Sequence, residues 1–336
     1  MMPSPHCTAP QHSPGSRQTW PVPQQPQGLS RRALLSALAA TAALGIAGCE
    51  IRLGAKPVAV VPTPDPAEAL RDALARHAHL LSVTAATAAQ TGNEPVHQLA
   101  GKITNWAASQ EQNLGGIWQP WPTATAIPSN FPTAAPPPTA APDAGIETLV
   151  GYLGDGVDLA RNSCEQAGTP EVARSYASLA VSWTLWLQRL SPDAREEKGR
   201  DATKLSAPLP KELLLAYDSA RFTLQTVAAR TVDAVRERAI ADAQFADTVV
   251  RASIALGGED PREAAYAPPQ VAADEAQDQA WAREVELALM VAEIKAVGAL
   301  EGPARAQAIE GAVDAALRAH RWGATPSEDP WPGLVA

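Results

Sequence analysis

Cysteine is scarce, 3 residues in 336, and this excludes a disulfide scaffold. Charged residues make up 19%, below the roughly 25% of an average protein. Positive charge is the scarcer sign, with 27 Lys and Arg against 36 Asp and Glu. A nucleic-acid backbone requires a basic surface, so nucleic acid is excluded as the main partner. The uncharged apolar run from Ala33 to Gly48 stops at 16 residues, short of the roughly 20 needed to span a bilayer as a helix. A Gly-x-Ser-x-Gly elbow, a phosphate loop and a dinucleotide fingerprint are all missing. What is present is an apolar fraction of 46% and 31 Pro. Together they point to an Ala-rich, all-α chain with Pro-rich connections.

The first 49 residues contain no Asp or Glu and three Arg: Arg17, Arg31 and Arg32. Ser30-Arg31-Arg32-Ala33-Leu34-Leu35 leads into the apolar run, which closes on Ile46-Ala47-Gly48-Cys49. The run reads as the apolar region of an export signal. Its end resembles a bacterial lipobox, in which an aliphatic and two small residues precede the lipidated Cys. The Arg31-Arg32 pair resembles a twin-arginine export signal. Residues 1–48 are therefore expected to be a lipoprotein signal peptide and Cys49 the lipidation site. The localisation implied is the extracytoplasmic face of the cell membrane. Cys164 would then be the one free thiol. Loss of the three Arg leaves 24 basic residues against 36 acidic, a net charge of −12. An anionic membrane repels such a body, so the lipid would have to hold it there.

Residues 49–66 read as an extended tether, kept out of helix by Pro57, Pro62, Pro64 and Pro66. Residues 67–191 read as a first four-helix bundle. Asp65 and Glu68 have capping-box spacing around Pro66, and Leu74, Ala78, Leu81 and Ala85 mark one apolar face. Val96, Leu99, Ile103 and Trp106 mark the next helix. A Pro-rich crossover over 115–142 follows; between Trp118 and Pro142 it holds eight Pro and no charge. Ile146, Leu149, Leu153, Val157 and Cys164, then Tyr176, Leu179, Trp183 and Trp186, mark two more helices. Residues 192–209 read as a linker whose cleavage should release two folded pieces. Residues 210–323 read as a second bundle, with Leu215, Phe222, Ile240, Val250, Leu289, Ile309 and Val313 inward, and 324–336 as a tail. In each half the connections run short, long, short, and twelve extended residues reach about 40 Å, more than a 22-residue helix spans. That order predicts two helical hairpins joined by a crossover, a ferritin-like arrangement. Thr169-Pro170 and Gly302-Pro303, 133 residues apart, suggest an internal duplication.

The segment from about Leu213 to Leu334, a third of the chain, resembles the ferritin-like domain of unknown function found in actinobacterial envelope lipoproteins. The likeness rests on Leu214-Leu215-Ala216-Tyr217, on Leu256-Gly257-Gly258 before Ala265-Tyr266-Ala267-Pro268-Pro269, and on Arg321-Trp322-Gly323-Ala324 with Trp331-Pro332-Gly333-Leu334. The family's Glu-His pair early in its first helix is replaced here by Tyr217-Asp218-Ser219.

A two-metal centre in such a bundle needs a Glu from two helices and Glu-x-x-His from the other two. The chain has one such motif, Glu94 to His97, on a first helical turn. His77, His97 and Asp155 are the remaining metal candidates. Asp218, Glu237, Asp242, Glu286, Glu293 and Glu310 read as solvated helix faces. Cys164, on an apolar stripe, reads as core. Trp118 and Trp121 sit in the uncharged crossover, where they either pack back over the helices or offer a polyproline-type or glycan-facing surface. The expected protein carries no cofactor and is not an enzyme. It is a lipid-anchored binding or scaffold module, with an envelope protein or glycan as partner. The alternative is a metal-binding ferritin-like oxidase or storage protein with its site in the first bundle.

Overall fold

The computed structural model describes residues 62–92, 94–121, 135–192, 200–271 and 276–334. The expectations for the signal peptide, Arg31, Arg32, Ile46, Ala47, Gly48 and Cys49, and for most of the tether, lie outside the described residues. The described residues form one compact unit.

The described residues are all-helical, with eight α-helices and no strand: α1 Pro66–Ala88, α2 Pro95–Asn113, α3 Ile146–Glu165, α4 Pro170–Leu190, α5 Lys211–Arg230, α6 Asp233–Ala255, α7 Gln277–Val297 and α8 Gly302–Arg321. Local chemistry sets their ends. The Asp65 carboxylate accepts the Glu68 N–H at 2.8 Å while Pro66 opens α1. Thr169 Oγ1 accepts from Val172 N ahead of Pro170. Both satisfy donors that a helix N-terminus leaves unpaired. Gly115 and Gly323, at φ +88° and +90°, end α2 and α8 in the left-handed conformation that glycine adopts without penalty.

Neighbours in sequence pack as antiparallel pairs. Along α1 and α2, Arg71 bonds the Leu114 carbonyl, His79 meets Glu111 and Ser82 bonds the Thr104 carbonyl, so one number rises as the other falls. The pairs α3–α4, α5–α6 and α7–α8 pack likewise, and α1 also contacts α3 while α5 contacts α7. The start of the long connection is fixed to α1, because Trp118 N–H donates to Asp72 at 2.7 Å. Its described end is fixed there too, because Arg76 donates to the carbonyls of Ala135 and Pro136. Trp118 and Trp121 are both half-buried.

Two apolar clusters fill the molecule, and each borrows from the other half. Val297, Ala308 and Ile309 belong to the first cluster, while Val181 and Leu185 of α4 belong to the second. Arg305 of α8 donates to the carbonyls of Cys164, Glu165 and Ala167 at the end of α3. The 192–209 segment is more than a linker where it is described. Arg200 is buried, and Ala202, Leu205 and Leu209 pack against the second cluster. Residues 326–333 cross back to the first half, where Trp331 packs on its core. Cleavage within 192–209 would therefore leave two pieces still sharing a core.

Candidate functional site

The chemically unusual part of the molecule is the interior of α5–α8. Four acids read from sequence as solvated are buried here: Asp218, Asp242, Glu286 and Glu293, with Glu293 at 0% exposure. Glu237 is exposed as expected and Glu310 is half-buried. The inward register differs accordingly. Leu215 and Phe222 are half-buried and Ile240 is 38% exposed, whereas Val250, Leu289, Ile309 and Val313 are buried as expected. Alanine dominates these helices, and a stripe of small residues leaves helix rotation weakly specified. Countercharge supplied from distant positions then decides which face turns inward.

Each buried acid has a named partner. Arg200 reaches in from the connection and holds Glu293 with two N–H groups, its Nη2 lying 3.1 Å from Oε2. The same guanidinium donates to Tyr217 OH at 3.0 Å and to the Gln307 carbonyl at 2.8 Å. Tyr217 OH in turn donates to Glu293 Oε1 at 2.5 Å. Gly311 of α8 makes room for this pair. A Cβ there would lie 2.4 Å from Glu293 Oε1 and 2.8 Å from Arg200 Cζ.

Two turns earlier on the same face of α7, Glu286 accepts from Arg318 Nε at 3.0 Å, and Arg318 Nη1 donates to Asp314 at 2.6 Å. The Arg318 guanidinium stands 4.1 Å over the Phe245 ring. Trp322 Nε1 donates to Asp242 at 2.8 Å. Asp218 accepts from Arg221 at 2.8 Å and from Tyr266 OH at 2.7 Å, which ties the second crossover to α5.

Burial outweighs these partners in setting protonation. Removal from water pushes the Glu286 carboxyl up to about 7 although Arg318 opposes it, and it raises Glu293 and Asp242 in the same direction. Arg318 itself is raised by Glu286 and Asp314 against its own burial. The cluster can therefore hold and release a proton near neutrality.

The interior of α1–α4 is uncharged by comparison. Gln110, fully buried, accepts the Trp183 indole N–H at 2.7 Å and donates to Ser182 Oγ at 3.1 Å and to the Pro330 carbonyl at 2.6 Å. Of the metal candidates, His77 lies with Nε2 2.8 Å from the Tyr152 carbonyl, its ring against Trp183 and Gly156. Burial lowers its pKa. His97 sits 2.8 Å from Glu94 at the start of α2, and Asp155 is exposed on α3. His77, His97 and Asp155 thus have different surroundings. Among the described residues no group of three or more His, Cys, Asp or Glu is arranged to hold a metal ion. His320 of α8 lies 3.1 Å from the Ala324 carbonyl. Cys164 is buried beside the Ala173 carbonyl, and burial pushes its thiol up to about 12, far from a reactive thiolate.

No family model, curated protein or solved structure matches this chain. The donor set therefore speaks for itself. The acids of α5–α8 do not fit a two-metal centre, because Arg200, Tyr217, Arg221 and Tyr266 already occupy both oxygens of Glu293 and Asp218, and Arg318 and Trp322 each hold one oxygen of Glu286 and Asp242. Surface grooves of about 330 and 370 Å³ are lined instead by residues such as Gln225, Ile240 and Gln244, and Arg174, Ile294 and Lys295. No helix among the described residues is long and apolar enough to cross a membrane.

Sequence reasoning missed Arg200 and Arg318 and took Glu286 and Glu293 for solvated. The available signal was the seven-residue spacing of Glu286 and Glu293, which places both on the stripe of Leu289, Met290 and Ile294.

Proposed function

We propose that the protein is a lipid-anchored, non-enzymatic module on the outer face of the cell membrane, built from two ferritin-like four-helix bundles and acting as a scaffold or binding protein. Anchoring is carried by the lipobox Ile46-Ala47-Gly48-Cys49 behind Arg31-Arg32. The ferritin-like architecture is supported by paired helices joined in short, long, short order. The observation that carries the non-enzymatic reading is the occupation of the α5–α8 interior by guanidinium groups. Glu293, which could have served as a metal ligand, spends both oxygens on Arg200 and Tyr217, and Glu286 gives Oε2 to Arg318. A buried cation fixed to the chain supplies countercharge without open coordination positions or a reactive group. The cluster then works as internal structure, and contact with partners falls to the surface.

Metal analysis of protein purified from its native envelope without chelator tests this reading. The expected content is well under one equivalent of iron, manganese or zinc, with a Tm unmoved by added metal. Stoichiometric metal that disappears in His97→Ala would replace this reading by a metal-binding one. Cys49→Ala should leave precursor or release the chain to the medium, and unchanged membrane retention would remove the anchor from the proposal.

A further inference from the structure

The C-terminal segment is held in a manner that suits a ligand. Residues 326–333 read Pro-Ser-Glu-Asp-Pro-Trp-Pro-Gly. Three of their carbonyls accept from side chains of α2 and α4. Trp186 Nε1 donates to Ser327 O at 2.9 Å, Gln110 Nε2 to Pro330 O at 2.6 Å, and Ser178 Oγ to Pro332 O at 2.9 Å. Gln110 is itself aligned by Trp183 and Ser182, so the donor is set before anything binds. Pro326–Glu328 form one turn of 3-10 helix and Leu334 N–H closes a second turn on the Trp331 carbonyl, so the segment meets the seat as two linked turns. Its prolines at 326, 330 and 332 bring no N–H, and what the segment presents to the donors is carbonyl oxygen. Trp186 is stacked on Trp106 at 5.8 Å, which holds this indole donor in place as Gln110 is held.

The segment is also partly self-organised. Trp331 N–H folds back on Asp329 Oδ1 at 2.8 Å, and Leu334 N–H on the Trp331 carbonyl. Its fit is nonetheless incomplete, because the Trp331 indole nitrogen is buried without a hydrogen-bond partner, an unfavourable state for a donor. Pro-Trp-Pro occurs a second time in the chain, at Pro120–Pro122.

We propose that the seat between α2 and α4 is a recognition site for proline-rich, turn-forming polypeptide segments carrying a tryptophan, and that residues 326–333 are its built-in competitor. A partner segment that also gives the indole an acceptor displaces them. The seat reads carbonyls and one indole, so it selects this class of segment rather than one sequence. The inference gives the binding role above a partner chemistry, but it depends on neither lipidation nor metal content and can fail while that reading stands. Occupation in cis lowers apparent affinity for any competitor by the fraction of open seats, so loosening the tail must strengthen binding in trans.

The test uses the full chain with Trp331→Ala and, separately, with Gly333→Ala, each checked for helicity. The second substitution pushes the tail off Ile294, which lies 2.5 Å from a Cβ at Gly333, without touching the seat. The probe is a labelled peptide of residues 324–336 followed by fluorescence anisotropy. At least tenfold tighter binding to either loosened chain than to wild type is expected. That binding should fall at least tenfold when the peptide's Trp331 is Ala or when Ser178→Ala is added to the chain. Absence of saturable binding to folded Gly333→Ala, or binding indifferent to Ser178→Ala, would overturn the proposal. A concentration-dependent dimer of the wild-type chain, lost in Trp331→Ala, would also overturn it, because the occupant would then be a second copy of this chain.

Discussion

The two halves share a plan of paired helices but solve their interiors differently. Around Gln110 the first half uses neutral groups, with Trp183 and Ser182 meeting the amide. Around Glu286 and Glu293 the second half uses charge, with Arg318 and Arg200 inserted against them. A neutral network costs little to bury once satisfied. Buried ions repay their desolvation only when fully paired, and one missing partner leaves an uncompensated charge. The same architecture thus tolerates either chemistry, but the second half depends much more on single residues.

The largest contrast should come from Arg200→Ala, which strips Glu293 of its countercharge. We expect a loss of about 3–5 kcal/mol in urea unfolding at pH 7. The loss should shrink as the pH is lowered, because burial raises the Glu293 carboxyl and lets it take up a proton instead. A cost below about 1 kcal/mol at pH 7 would place this pair with surface ion pairs and erase the contrast between the halves.

The pH dependence of the wild type comes next. The folded chain holds a proton on Glu286 up to about pH 7, whereas the unfolded chain releases it near the ordinary glutamate value of 4.5. Between those values the folded state binds more protons, so stability falls as pH rises and levels off above the folded value. The fall attributable to Glu286 should be roughly 3–4 kcal/mol. Glu286→Gln should flatten it, and a slope unchanged in that variant would move the proton elsewhere.

Trp183→Phe sharpens the neutral side. It removes the indole donor and leaves the buried Gln110 Oε1 unmet, at about 1–3 kcal/mol, with no pH dependence above neutrality, where the His77 ring packed on Trp183 is uncharged. A pH-dependent loss above neutrality would show that the first half has a further titrating core group. The smallest effect should be Lys102→Ala. Lys102 meets Glu328 at 3.5 Å with both side chains about half exposed, and its removal should change unfolding by less than about 0.5 kcal/mol.

Where a residue's signal is local, the sequence reads well. Pro66, Pro170, Lys211 and Gly302 open helices where capping and proline chemistry place them, and Leu74, Leu81, Leu153 and Trp183 are buried on the stripes their spacing marks. The charged interior was illegible because its partners are far apart in the chain. Arg200 lies 93 residues from Glu293, in a stretch whose charge and proline suggest a linker. Glu286 and Glu293 fall on the apolar stripe of their helix, but Arg283, Glu284 and Lys295 share that helix, so spacing alone does not separate a buried acid from a solvated one. Phe222 was misplaced for the same reason. It lies at the edge of the core, where its ring meets Tyr266 from the second crossover, a contact no helical period contains.

The seating of residues 326–333 on α2 and α4 also has a consequence in time. Pro330 is 220 residues downstream of the Gln110 that it satisfies. During synthesis the first half emerges with Ser178 and Trp186 lacking these acceptors and with Gln110 Nε2 left to Ser182 alone. Closing a loop of that length is the kind of non-local step that slows folding. A chain broken off anywhere before Ser327 leaves Ser178 and Trp186 open on its first half and Gln110 only partly met, a local signature of the missing segment 326–333.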